Sequence, residues 1–470
     1  MERISIGRHT YIYDRDSGYI SLQAESTNNT LKDIKWFGYD DDKIEYLHKH
    51  GLLKSRDGFK FRFLTKEDLT TSILNTHQII FEVTDRCNLN CHYCGYGHLY
   101  NNYDLRQNKD ISFNYFVKLY NFLKNLWDNS SNKGCNSLRI SFYGGEPLCN
   151  FSFIEKVVNY TKKHPIPNKH IYYSMTTNGV LLNKYMDFLV HNNFDLLISL
   201  DGDRKGHSYR VFHNGRESFD IVLGNIDSLY NNYPDFFKNN VKFNSVLHDR
   251  NSVKDIHSFI SSRYNKKPMI SELNIFGINK ERLKEFKSLY HSIAKEFSQM
   301  SEEEYNLYST HSPFLQHYEK WLFQMLMRVY SKNLSEVLSS DFKTDINNKS
   351  PEFPTNTCIP FSRKIFVSVS GKIYPCERIG NEQTFGCITD NGIDIHYDNI
   401  ITSYNNTFAK YIPLCKDCKI RDFCSVCMVS DVNGVKSCMH NHPRDIKEII
   451  SFFSNNPEKL RNLMKNLIVL

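Results

Sequence analysis

The sequence predicts an α/β chain: a partial, six-stranded (β/α)6 barrel with a small α+β unit before it and a cysteine-rich domain after it. Three observations carry that reading. Between residues 76 and 281, six short strand-like runs alternate with helix-like runs, the pattern of a parallel sheet whose crossovers are helices. The chain has 13 cysteines, yet its N-terminus lacks the apolar run of a secretion signal, so disulfides are not their expected use. Their placement is uneven: three lie within 87–94 and eight between Cys358 and Cys438.

Residues 1–75 read as a separate small unit. In "HTYIYDRDSGYISL", alternation around an Asp-Ser-Gly turn predicts a β-hairpin. "DDKIEYLHKHGLL", acidic at its start and basic before a glycine, predicts a helix. Residues 76–281 form the barrel, with strands expected at 78–84, 138–144, 171–177, 194–200, 241–247 and 272–278. Runs such as "FNYFVKLYNFLKNLW", "FIEKVVNYTKK", "KYMDFLVHN" and "SFDIVLGNIDSLY" supply the helices between them. A full eight-stranded barrel needs two further units, which the sequence does not supply. Residues 282–350 read as a helical connector without cysteine. From 351 to 445 periodicity fades while glycine, turn residues and cysteine rise, as in a small domain organised by metal. Residues 446–470 close the chain as an amphipathic helical stretch interrupted near Pro457.

Composition narrows the function classes. At 40% hydrophobic and 14% aromatic, the chain can bury packed cores, so global disorder is not expected. A net charge of +7 is mild for 470 residues, and without a Lys/Arg block it gives no reason to expect nucleic acid as a partner. No run of about 18 apolar residues exists, so no membrane span is expected. The expected location is cytoplasmic.

The loop "TDRCNLNCHYCGYG" (84–97) sets Cys87, Cys91 and Cys94 in the order C-x3-C-x2-C after the first strand. A structural zinc site wants four ligands. Three soft thiolates in one loop suit an iron–sulfur cube with one iron left open. Ligand sites in parallel α/β sheets gather at the carboxyl ends of strands. There stand "YGGEP", "TTNG", "SLDG" and "FNSVL". The paired glycines of the first are expected to let a ligand approach the backbone, and its glutamate offers an acceptor for an amine.

This combination resembles the radical S-adenosylmethionine (SAM) superfamily: three cysteines after the first strand, Tyr93 before the last of them, and GGEP after the second strand. The resemblance implies that Cys87, Cys91 and Cys94 hold a [4Fe-4S] cluster whose open iron is chelated by the amino and carboxylate groups of SAM. It implies Tyr93 near the adenine, and Gly144, Gly145 and Glu146 at the methionine amino group. Ser199 and Arg210 are then candidates for the carboxylate or ribose, and Thr177, Asn244 and Val246 for the same pocket. One electron from the cluster would break the sulfonium C–S bond and yield a 5′-deoxyadenosyl radical able to take hydrogen from an unactivated C–H. Cys135 and Cys149 read as buried free thiols.

The second cysteine region runs C-x12-G-x4-C (Cys358, Gly371, Cys376), then C-x2-C-x5-C-x2-C (Cys415, Cys418, Cys424, Cys427), then Cys438. It resembles the SPASM extension of radical SAM enzymes that modify peptides, departing where C-x3-C commonly closes the quartet. Gly371 is expected to allow a tight hairpin. The resemblance implies two auxiliary cubes: a farther one on Cys415, Cys418, Cys424 and Cys438, and a nearer one on Cys358, Cys376 and Cys427. The nearer cube's fourth ligand is either Cys387 or substrate. By residue type alone, two zinc sites also fit the C-x2-C pairs.

The function so implied is a maturase. It would abstract hydrogen from a ribosomally synthesised precursor peptide, leading to a crosslink or other modification, with electrons from a flavodoxin or ferredoxin. The N-terminal hairpin would either accept an extended peptide by strand addition or serve only as a packing extension on the barrel. Two alternatives stand beside it. One is a sulfatase-maturing enzyme that generates formylglycine, for which the sequence singles out no carboxylate base. The other is a non-catalytic iron–sulfur or zinc partner that binds a peptide.

Overall fold

The structure is a computed structural model. It describes residues 61–101, 106–130, 136–275, 277–301, 358–380, 384–416 and 426–429, three strands within 2–22, and the single positions 49, 304, 308 and 353. The chain divides into two compact units, one of residues 1–63, 317–357 and 405–470, the other of residues 64–316 and 358–404.

In the first unit, β1 (Glu2–Ile6), β2 (His9–Asp14) and β3 (Tyr19–Leu22) form an antiparallel sheet in sequential order. The expected hairpin is the β2–β3 pair, in which Asp14 stands opposite Tyr19. Of the helix expected after it only Lys49 is described, and it is helical. The closing stretch 446–470 lies outside the described residues, as do Cys135, Cys418, Cys424 and Cys438.

The second unit opens with α1 (Lys66–Leu74), started by a capping box in which the Thr65 hydroxyl accepts from the Asp68 amide and the Asp68 carboxylate from the Thr65 amide. The barrel strands follow: β4 (Gln78–Thr84), β5 (Ser137–Gly144), β6 (His170–Thr177), β7 (Asp195–Ser199), β8 (Val241–Val246) and β9 (Met269–Ser271). All six pair in parallel in chain order. Between them run α2 (Phe113–Asn129), α3 (Phe151–Lys163), α4 (Leu182–His191) and α5 (Phe219–Asn232), and α6 (Val253–Tyr264) precedes β9. β4 is buried along its length apart from Gln78, as a strand covered on both faces must be. Its Phe81 is fully buried, with the rings of Phe116 and Phe153 at 5.5 and 5.9 Å.

Two features differ from the sequence expectation. The sixth strand is Met269–Ser271, not 272–278. Glu272 turns its carboxylate to the Tyr290 hydroxyl and the Ile293 amide. Beyond it the chain meets the exit of the cysteine loop, where the Asn101 and Asn279 amides donate to the carbonyls of Gly277 and Leu99. The second difference is an extension of the sheet. β10 (Ile365–Val367) pairs in parallel with β4, and β11 (Lys372–Tyr374), β12 (Gly386–Thr389) and β13 (Gly392–Ile395) continue outward in antiparallel fashion. The result is one ten-stranded sheet, from which α7 (Tyr397–Cys415) departs. Gly371, at φ +76°, makes the β10–β11 turn with its amide on Ser368, as its place between cysteines led us to expect.

Candidate functional site

The carboxyl ends of β4 to β8 converge on one rim. There Gly144 and Gly145, at the end of β5, serve the packing of the chain itself. A Cβ on Gly145 would stand 2.0 Å from the Arg86 carbonyl oxygen, and one on Gly144 (φ +131°) 2.3 Å from that of Thr84. The glycines let the chain after β5 press against the chain after β4, and the amides of Gly145 and Glu146 donate to Thr84 and Arg86 at 2.9 Å each. The turn that carries Glu146 is thereby fixed to the segment that carries Cys87.

Glu146 is 1% exposed. It accepts from the Thr177 hydroxyl at 2.8 Å, the Asn178 amide at 2.7 Å and the Leu148 amide at 3.1 Å. Burial, opposed by these donors, leaves its pKa pushed up to about 7. Asn178 also reaches the cysteine loop, its side-chain amide donating to Asn88 Oδ1 at 2.7 Å and lying 3.8 Å from Cys87 Sγ.

The loop itself is braced from the other side. Residues 209–213 run against it: the amides of Asn90 and His92 donate to the carbonyls of Val211 and Tyr209, and His213 donates to the Cys87 carbonyl at 2.8 Å. Behind lies a buried ion pair. Asp201 is fully buried and takes Arg210 Nε at 2.8 Å and Nη2 at 3.2 Å. It also accepts from the Val246 amide at 2.9 Å and from the Tyr93 hydroxyl. Burial pushes Asp201 up, but the Arg210 charge and these donors outweigh it and hold the carboxyl below the usual range. Tyr93 stacks on His248 at 5.4 Å.

Of the expected SAM-site residues, the structure therefore joins Glu146 and Thr177 in one hydrogen-bonded group beside Cys87. It joins Tyr93, Arg210 and the Val246 backbone in another, centred on Asp201. Ser199 and Asn244 are register partners at the ends of β7 and β8. Sequence reasoning gave no role to Asn178, Asn88 or Asp201. Asn178 and Asp201 follow the strand ends in "TTNG" and "SLDG", the one signal that marked them.

The donor set fits a cluster. Cys87 and Cys91 are pushed up to about 12 by burial, so they persist as thiolates only against cationic metal. Beside Cys87, the buried Asn88 Nδ2 has no partner, a donor aimed at nothing in the chain and suited to a sulfur or cosubstrate acceptor.

Residues 81–262 match the family model of the radical SAM superfamily. Over that stretch the chain is similar to the radical SAM superfamily. It is 34% identical over 154 residues to a cysteine-type anaerobic sulfatase-maturating enzyme of Clostridium novyi, a match covering 32% of this chain and 39% of that one. It is 28% identical over 169 residues to the radical SAM cyclopropyl synthase TigE of Paramaledivibacter caminithermalis, covering 35% and 34%. The chain thus spans little more than a third of the length of these curated relatives. A solved structure of anSMEcpe with bound AdoMet and Cp18Cys peptide superposes with a TM-score of 0.52 at 19% identity, over 83% of this chain and 99% of that one. That likeness is one of fold. No helix among the described residues is long and apolar enough to cross a membrane.

Proposed function

We propose that this protein is a radical SAM maturase of a ribosomally made precursor peptide. The observation that carries the cofactor part is Asn178, whose backbone amide donates to Glu146 while its side-chain amide donates to Asn88 in the Cys87 loop. Cys87, Cys91 and Cys94 would hold the cluster, and Glu146, oriented by Thr177 and Asn178, would take the cosubstrate ammonium. Bound together, cluster and SAM supply a radical that takes hydrogen from an unactivated C–H. Ser199, Asn244 and Val246 would line the pocket along the same rim. Arg210 gives Nε and Nη2 to Asp201, which leaves Nη1 as its edge for a carboxylate or ribose. Tyr93, tied to Asp201, would set the adenine wall.

Seven cysteines of the C-terminal pattern would hold two auxiliary cubes. Of these, Cys358, Cys376, Cys415 and Cys427 are described; Cys415 is buried and Cys358 and Cys427 are exposed. A flavodoxin or ferredoxin would deliver electrons. The similarity to a cysteine-type sulfatase-maturating enzyme favours a second reading with the same site, in which a Cys or Ser of a sulfatase becomes formylglycine.

The test is incubation of anaerobically reconstituted protein with SAM and dithionite, alone and with candidate peptides. Deoxyadenosine release, with a mass change in a precursor peptide encoded beside it, supports the maturase. Formylglycine in a sulfatase peptide selects the second reading. No deoxyadenosine under any condition overturns both.

A further inference from the structure

We propose that Cys387, Asp394 and His396 form a mononuclear site for a divalent transition metal of the zinc class, separate from every iron–sulfur cluster. One ligand atom from each lies within 4.8 Å of the other two, the one such trio among the described residues. The strand register builds it. Cys387 of β12 stands directly opposite Asp394 of β13, and His396, two residues on, falls on the same face. Gly386 brings the strands this close, since a Cβ there would meet the Asp394 carbonyl at 2.4 Å.

Spacing and chemistry agree. His396 Nε2 and Asp394 Oδ2 are 3.5 Å apart, close to the edge of roughly 3.4 Å expected for a tetrahedron with bonds of about 2.0–2.1 Å. One thiolate, one imidazole and one carboxylate make a borderline-soft set that suits zinc, with a fourth position for water. Cys387 and His396 are half-buried and Asp394 is exposed, so an ion can enter from solvent. Cys387 is also the cysteine that the seven-cysteine pattern leaves over. Binding would fasten the outermost hairpin to the start of α7, whose first turn is capped by the His396 carbonyl accepting from the Ile400 amide at 3.0 Å.

The experiment measures zinc and iron per chain in the full-length reconstituted protein after zinc loading and desalting, with zinc-edge X-ray absorption. About one zinc with a single Zn–S distance near ~2.3 Å is expected. Cys387→Ser and His396→Ala should lose that zinc and keep their iron, and the exposed change Asp394→Asn should weaken retention without disturbing the fold. Iron content serves as the folding control. Loss of about four irons in Cys387→Ser would make Cys387 a cluster ligand and overturn the proposal. So would the absence of retained zinc, or zinc that is indifferent to all three changes. None of these outcomes depends on whether the protein cleaves SAM.

Discussion

At the scale of single residues, Glu146 sets a pH dependence. With a folded pKa of about 7, the buried carboxyl holds a proton that the unfolded chain has already released above the ordinary carboxylate range. Its contribution to stability is therefore greatest in acid and declines until about pH 7. A bound ammonium reverses the preference by favouring the charged form. SAM affinity should accordingly rise as pH passes from about 6 to 8, with proton uptake or release visible in calorimetry run in two buffers; an affinity flat across that range would remove Glu146 from the ammonium site. Glu146→Ala should cost about 10–100-fold in SAM affinity, the worth of a charge-assisted hydrogen bond. Gly145→Ala places a Cβ against backbone that cannot yield. It should lower Tm sharply and empty the Cys87–Cys94 cluster, a loss of about four irons. Asp201→Asn strands the buried Arg210 guanidinium, and chemical denaturation should read a loss of about 3–5 kcal/mol.

At the scale of elements, five of the six barrel strands were legible because each is a run of alternating or continuous apolar residues with turn residues behind it. The sixth was not. Met269–Ser271 is short and exposed at alternate positions, while the neighbouring "ELNIFGI" looks more like a strand and is bound elsewhere through Glu272 and Gly277. The cysteines and GGEP declared themselves by residue type. The Asp201–Arg210–Tyr93 group could not, since a buried ion pair depends on the chain's return past the loop at 209–213, which no local pattern encodes. Amide exchange should follow this ordering: slowest at Phe81 and Val83 in the doubly covered β4, and fast at β9 and β13, the short edges of the sheet.

At the scale of the whole molecule, metal content is the decisive quantity. Three cubes require about twelve irons, and replacing Cys87, Cys91 and Cys94 with Ala should remove about four while abolishing deoxyadenosine release. The sheet carries a consequence for biosynthesis. β4 pairs on one side with β5 and on the other with Ile365–Val367, and the buried carboxylate of Glu82 receives the Val369 amide at 3.0 Å. At roughly 5–20 residues per second on the ribosome, the strand that leads into the cysteine loop waits about fifteen seconds to a minute for that neighbour. During this interval its apolar edge is open to pairing with other nascent chains. A message cut short before codon 365 would therefore yield a sticky fragment instead of a smaller working domain, and overproduction in the cell would be limited by how well that edge is chaperoned.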